Sequence, residues 1–186
     1  MTLAVFSVSR SGRASGAFEL GVVPKTLGAP ALTYPGAYSG LGLDAQLDYY
    51  VNGTDFGIIA GVLSQGTGKL ETIRGRYYFY GHAQTAHMDS TAKVSSVLVT
   101  ETKSRGLYVE FGAVSFQLSK ITAATSTAPS FQVSTLDFGA VAALGLEQPL
   151  LWGTFLGIKA NLFNSLGSTS LNMIAFEVAI GLPVAF

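Results

Sequence analysis

The last segment of the chain alternates large apolar residues with small ones at every second position. Ile174, Phe176, Val178, Ile180, Leu182, Val184 and Phe186 share one face, while Met173, Ala175, Glu177, Ala179, Gly181, Pro183 and Ala185 share the other. A period of two is that of an extended strand, whose successive side chains point to opposite sides of its sheet. A soluble sandwich strand also alternates, but it packs its bulky residues inward and turns polar ones to water. Here the second face is mostly Ala and Gly with one carboxylate, as a crowded enclosed interior requires. The pattern predicts a strand with hydrocarbon on its bulky side and a polar lumen on the other.

The alternation recurs upstream. In 150–163, Trp152, Leu156, Ile158 and Leu162 oppose Gly153, Gly157, Lys159 and Asn161; in 136–145, Leu136, Phe138, Ala140, Ala142 and Leu144 oppose Asp137, Gly139 and Gly145. Leu107, Val109, Phe111 and Ala113 oppose Tyr108, Glu110 and Gly112, and a weaker pattern in 91–102 sets Val94 and Leu98 against Lys93 and Ser95. Ile73, Tyr77 and Phe79 oppose Arg74, Arg76, Tyr78 and Tyr80; Phe56, Ile58, Ala60 and Val62 form another face; Leu41, Leu43, Ala45, Leu47 and Tyr49 oppose Asp44, Gln46 and Asp48. That makes eight strands between Leu41 and Phe186. Nearer the start, Ala4, Phe6 and Val8, then Phe18, Leu20 and Val22, read as a hairpin around Ser11-Gly12, followed by a loop with Pro24, Pro30 and Pro35. Bacterial barrels use even strand numbers. The preferred expectation is therefore an all-β, up-and-down antiparallel transmembrane barrel of ten strands, with eight strands plus an N-terminal extension as the alternative.

Short turn signals, Asn52-Gly53, 65–68, 103–106 and Glu147-Gln148-Pro149, fit a meander without crossovers. Longer connections at 82–90, 120–130 and 164–170 alternate with the turns at 103–106 and 147–149. Outer-membrane barrels keep short turns in the periplasm and longer loops outside, which places Phe186 on the periplasmic side.

Composition strengthens the membrane reading. The chain is 48% hydrophobic and only 12% charged, against about a quarter charged in ordinary soluble domains, and its mean hydropathy is +0.41. A spanning helix needs about 20 consecutive apolar residues, and no such run occurs. The 22 Gly, 12 Phe and 8 Tyr are strand and turn vocabulary. Residues 1–186 are read as one domain. A formal charge of zero offers no basic face, so no nucleic-acid partner is expected. The absence of Cys excludes disulfides and thiolate metal sites. Residues 1–23 lack a basic start followed by an apolar run, so a mature form with an added Met1 is expected rather than a precursor.

Val178-Ala179-Ile180-Gly181-Leu182-Pro183-Val184-Ala185-Phe186 resembles the terminal signature of outer-membrane barrels, alternating apolar residues that end in an aromatic. Gly106-Leu107-Tyr108-Val109-Glu110-Phe111-Gly112 and Phe155-Leu156-Gly157-Ile158-Lys159-Ala160 look like strands of the small bacterial outer-membrane barrels of the opacity/OmpA-like superfamily. The resemblance covers most of the chain. It implies outer-membrane localisation, recognition of Phe186 by the barrel-assembly machinery, and the lipid bilayer with lipopolysaccharide as surroundings of a monomer. Pro183 departs from the pattern, since it lacks a ladder donor.

Alternation puts Asp44, Asp48, Arg74, Arg76, Glu110, Lys159 and Glu177 on lumen faces. Charges in a narrow barrel are costly unless paired or wet. They are read either as an interior network that fills the barrel or as a conduit that sets selectivity for small solutes. His82, His87, Asp89 and Ser90 offer a second chemistry, that of a lipid-modifying enzyme, but no nucleophile elbow frames Ser90 and two His without a third firm ligand do not make a metal site. No enzyme activity, cofactor or metal is expected. Trp152 and Phe186 are assigned to a periplasmic aromatic girdle, and Tyr78, Phe79, Tyr80, Phe131 and Phe163 to an outer one. A soluble β-sandwich adhesin domain is the remaining alternative.

Overall fold

In the computed structural model, eight antiparallel strands form one sheet that closes on itself in sequence order. The structure describes residues 15–28, 37–50, 54–80, 106–122, 131–150, 154–167 and 171–185. The strands are β1 (Ser15–Leu27), β2 (Ala37–Tyr50), β3 (Phe56–Gly66), β4 (Gly68–Tyr80), β5 (Gly106–Thr122), β6 (Phe131–Pro149), β7 (Phe155–Ser165) and β8 (Asn172–Ala185). β1 meets β8 in a continuous ladder from Ser15↔Ala185 to Val22↔Val178, so the sheet has no free edge. Pro24, which has no N–H to donate, falls where that ladder shifts register between Val22 and Lys25.

Burial alternates without a break along β3 and β7, and the outward set is apolar all round. Leu20, Leu43, Ile58, Ile73, Phe111, Leu144, Ile158 and Phe176, one from each strand in order, are all exposed. Monomers in water rarely carry a continuous apolar surface of this kind. Two ends can be distinguished. The near end holds Ser15, Tyr50, Tyr80, Pro149 and Ala185; the far end holds Leu27, Gly66, Thr122 and Asn172. Tyr49, Phe56, Tyr77, Phe79 and Tyr80 ring the outside of β2–β4 toward the near end. Polar pairs mark the outside toward the far end, Lys69 with Glu71 at 2.6 Å and Asn164 with Asn172 at 2.6 Å.

Several expectations are corrected. The barrel has eight strands, not ten: β4 pairs directly with β5 from Gly68↔Leu118 to Tyr80↔Leu107, which leaves no place in the sheet for a strand from 91–102. Residues 91–102 and the strand expected at 4–8 lie outside the described residues, as do Asn52-Gly53 and the loop 82–90. Glu147-Gln148-Pro149 is not a turn, because β6 continues through it with Glu147 opposite Gly157 and Pro149 opposite Phe155. The turn follows, closed by Leu150 N–H donating to the Thr154 carbonyl at 2.8 Å. Removing one strand also puts the connections before it at the end opposite to the one expected, while the end of β8 keeps its side. The connection from β4 to β5 leaves from the near end, with the β6–β7 turn and the end of β8, while the β5–β6 and β7–β8 connections leave from the far end. Phe79 and Tyr80 therefore belong to the near end, and Tyr78 and Phe163 point into the lumen, where both are buried. The β-sandwich alternative is excluded by the closure of one sheet.

Inward glycines make room for inward rings. A Cβ at Gly181 would run into the Phe155 ring across the β7–β8 ladder, whereas one at Gly157 would have its nearest neighbour 3.9 Å away. Gly181→Val should cost about 1–3 kcal/mol through overpacking, and Gly157→Ala close to nothing. Comparison of urea midpoints for unfolding from detergent micelles checks the contrast; equal midpoints would contradict it.

Candidate functional site: the lumen charge network

The lumen is layered. Its far half holds one buried apolar cluster, with Leu63, Leu70, Val114, Phe116, Leu118 and Phe163, beside the buried polar groups of Gln65, Asp137 and Ser165. Tyr38 crosses this half from β2. Its hydroxyl donates to the Lys69 carbonyl at 3.1 Å, with the Gln117 carbonyl 3.4 Å away, and its backbone takes φ 54° within a register shift of β2. That conformation costs a non-glycine residue about 1–3 kcal/mol, which the buried ring and its hydrogen bond offset. At the near end, Tyr50, Tyr78 and Tyr108 form an aromatic floor, with Phe155 packed beside Ala17.

Between these layers lies the charge network. Asp44, Asp48, Arg74, Arg76, Glu110, Lys159 and Glu177 all point inward and are buried. Two hubs organise them. Arg76 Nε donates to Glu110 Oε1 at 2.7 Å, and Nη1 reaches Glu19 and Glu147 at 2.8 Å and Asp48 at 3.1 Å. The Tyr108 ring lies 4.1 Å from the guanidinium carbon, a cation–π contact. Toward the far end, Arg74 Nη1 donates to Glu110 Oε2 at 2.7 Å and to Asn161 Oδ1 at 3.0 Å. Lys159 Nζ donates to Gln46 Oε1 at 2.9 Å and pairs with Glu177 at 3.2 Å. Gln46 Nε2 links Asp44 Oδ2 at 2.6 Å and Glu177 Oε1 at 2.9 Å. Glu110 bridges the hubs, since each of its oxygens takes one arginine.

Sequence reasoning missed two members. Glu19 falls in the N-terminal hairpin, where its place between outward Leu20 and Phe18 marks it as inward. Glu147 is hidden by the turn expected at 147–149, although Leu144 and Leu146 carry the outward face up to it. Asp137, inward as its alternation implied, stands apart from both hubs, accepting from the Ser165 hydroxyl at 2.6 Å. Phe186 and the His82, His87, Asp89 and Ser90 group lie outside the described residues. Among the described residues no group of three or more His, Asp or Glu is arranged to hold a metal.

No family model matches the chain, and no curated protein sequence does. Solved structures do. The N-terminal β-barrel domain of Pseudomonas aeruginosa OprF superposes with a TM-score of 0.59 at 11% identity, over 92% of this chain and 97% of that one. Ail, the attachment invasion locus protein of Yersinia pestis, crystallised with the heparin analogue sucrose octasulfate, superposes with a TM-score of 0.50 at 10% identity, over 92% of this chain and 99% of that one. Identity this low carries the architecture alone, and by that measure the chain has the eight-stranded, up-and-down barrel fold of small bacterial outer-membrane proteins.

Proposed function

We propose that the chain is an integral outer-membrane barrel whose filled lumen makes it a structural scaffold rather than a pore for small solutes. The observation that carries this reading is the apolar cluster that fills the far half of the lumen, where Phe116, Leu118, Leu70 and Phe163 meet beneath Tyr38. An ion crossing that layer would lose its hydration among packed apolar side chains, and the buried carboxylate at that level, Asp137, is taken up by the Ser165 hydroxyl. The network beneath ties opposite walls together: Arg76 of β4 holds acids from β1, β2, β5 and β6. In this reading the outward apolar belt meets lipid, with lipopolysaccharide around the outer rim, and the barrel-assembly machinery receives the terminal strand. The near end, where β1 begins and β8 finishes, faces the periplasm.

Planar-bilayer recording with the purified protein tests the closed lumen. No unitary conductance steps are expected at neutral pH, and reproducible steps would overturn the scaffold reading in favour of the narrow pore. The membrane assignment itself is tested by detergent dependence and heat-modifiable gel migration. A monodisperse monomer in detergent-free buffer would overturn it.

A further inference from the structure

The floor of the charge network contains an unbroken line of oxygens. Asp48 Oδ2 lies 2.9 Å from Tyr50 Oη, Tyr50 Oη lies 3.2 Å from Tyr78 Oη, and Tyr78 Oη lies 2.7 Å from Glu147 Oε1. Three such contacts need three hydrogens. Each phenol carries one, and a carboxylate carries none. Arg76 Nη1 also reaches Tyr50 Oη at 2.9 Å and Tyr78 Oη at 3.2 Å, but its two hydrogens are shared with Glu19, Asp48 and Glu147. If both acids were ionised, their bonds from Tyr50 and Tyr78 would use up both phenolic hydrogens. Two hydroxyl oxygens would then face each other at 3.2 Å with no proton between them.

We propose that Asp48 and Glu147 share one proton through Tyr50 and Tyr78, forming a proton-binding site enclosed in the barrel floor. Glu147 O–H donates to Tyr78, Tyr78 to Tyr50, and Tyr50 to the Asp48 carboxylate. The reverse order is equally well formed. It is reached when three O–H bonds break and three form along the line, which moves one negative charge from β2 to β6 without any heavy atom moving far.

Two independent observations support the extra proton. Among the described residues the mid-lumen holds six acids, Glu19, Asp44, Asp48, Glu110, Glu147 and Glu177, against three cations, Arg74, Arg76 and Lys159. Also, Asp48 Oδ1 and Glu147 Oε2 are buried without a hydrogen-bond partner. An unpaired oxygen is far less costly on a neutral carboxyl than on a carboxylate. The groups that face the site are Glu19 from β1, Arg76 from β4, and Tyr108 and Glu110 from β5, with Lys159 of β7 and Glu177 of β8 in the adjoining hub; β3 contributes the apolar Ile59. Alkaline loss of the proton would leave two adjacent anions around one guanidinium and loosen the floor.

Infrared spectroscopy of the full chain folded in detergent micelles at neutral pH tests this. The expected result is a carbonyl band of a protonated carboxyl that shifts in heavy water. It should vanish in Glu147→Gln and in Asp48→Asn, because either amide supplies the missing hydrogen, and persist in Glu19→Gln. Heat-modifiable migration reports folding of each variant. Should one fail to fold, heavy-carbon labelling of all Asp or all Glu carboxyls in the wild-type chain assigns the band instead. A band that survives both substitutions, or that shifts with neither label, would overturn the proposal. So would the absence of any band, and thermal stability that then rises with added sodium or potassium would put a metal cation in the proton's place.

Discussion

Arg76→Met is expected to destabilise the barrel by about 3–5 kcal/mol, the usual cost of removing one partner from a buried ion pair. The measurement is the urea midpoint for unfolding from micelles, checked by gel migration. Arg76 is wholly buried and in ion-pair contact with Glu19, Asp48, Glu110 and Glu147. Methionine fills much of the same volume, so the loss reports uncompensated acids rather than a cavity. The exposed pair of Lys69 with Glu71 is the contrast, and Lys69→Ala should cost no more than about 1 kcal/mol. If the two variants lose similar stability, the network does not organise the fold as described.

The second large effect belongs to the outer face. Ile158 sits midway along the barrel wall, between Leu146 of β6 and Val178 of β8, and is exposed. Ile158→Arg should cost about 2–4 kcal/mol if that surface meets the middle of a bilayer, whereas a charge near the interface costs about 0–1 kcal/mol. Leu166, 78% exposed just past β7 at the far end, provides the second case through Leu166→Arg. Refolding both variants into lipid vesicles and comparing their unfolding free energies gives the depth dependence. Equal costs near zero would mean that water, not hydrocarbon, covers the belt.

The inward and outward faces were legible in the sequence because alternation is a local signal. A residue's side is decided by its parity with its neighbours, and that sufficed to turn Arg74, Arg76, Glu110, Lys159 and Glu177 inward. Where parity is set aside, the reading fails: Tyr78 alternates against Phe79, yet the rim assignment groups it with Phe79 and Tyr80, and Tyr80, inward by parity, is turned outward by a register shift. The number of strands was not legible. It depends on which segments find each other across the sheet, and the pairing of β4 with β5 spans a connection of 25 residues whose own weak alternation resembled a strand. The pairing inside the lumen was hidden for the same reason. Arg76 meets Glu147 at a separation of 71 residues, and nothing local in either segment announces the other.

The seam between β1 and β8 has a consequence for how the molecule is made. Until residues 172–185 arrive, the first and seventh strands each present a bare rim of amides and carbonyls, ready to recruit another chain. Backbone nicks in the β5–β6 or β7–β8 connections would leave the ring intact. Deleting the last strand would reopen it along its full height and turn a sealed cylinder into a template for aggregation.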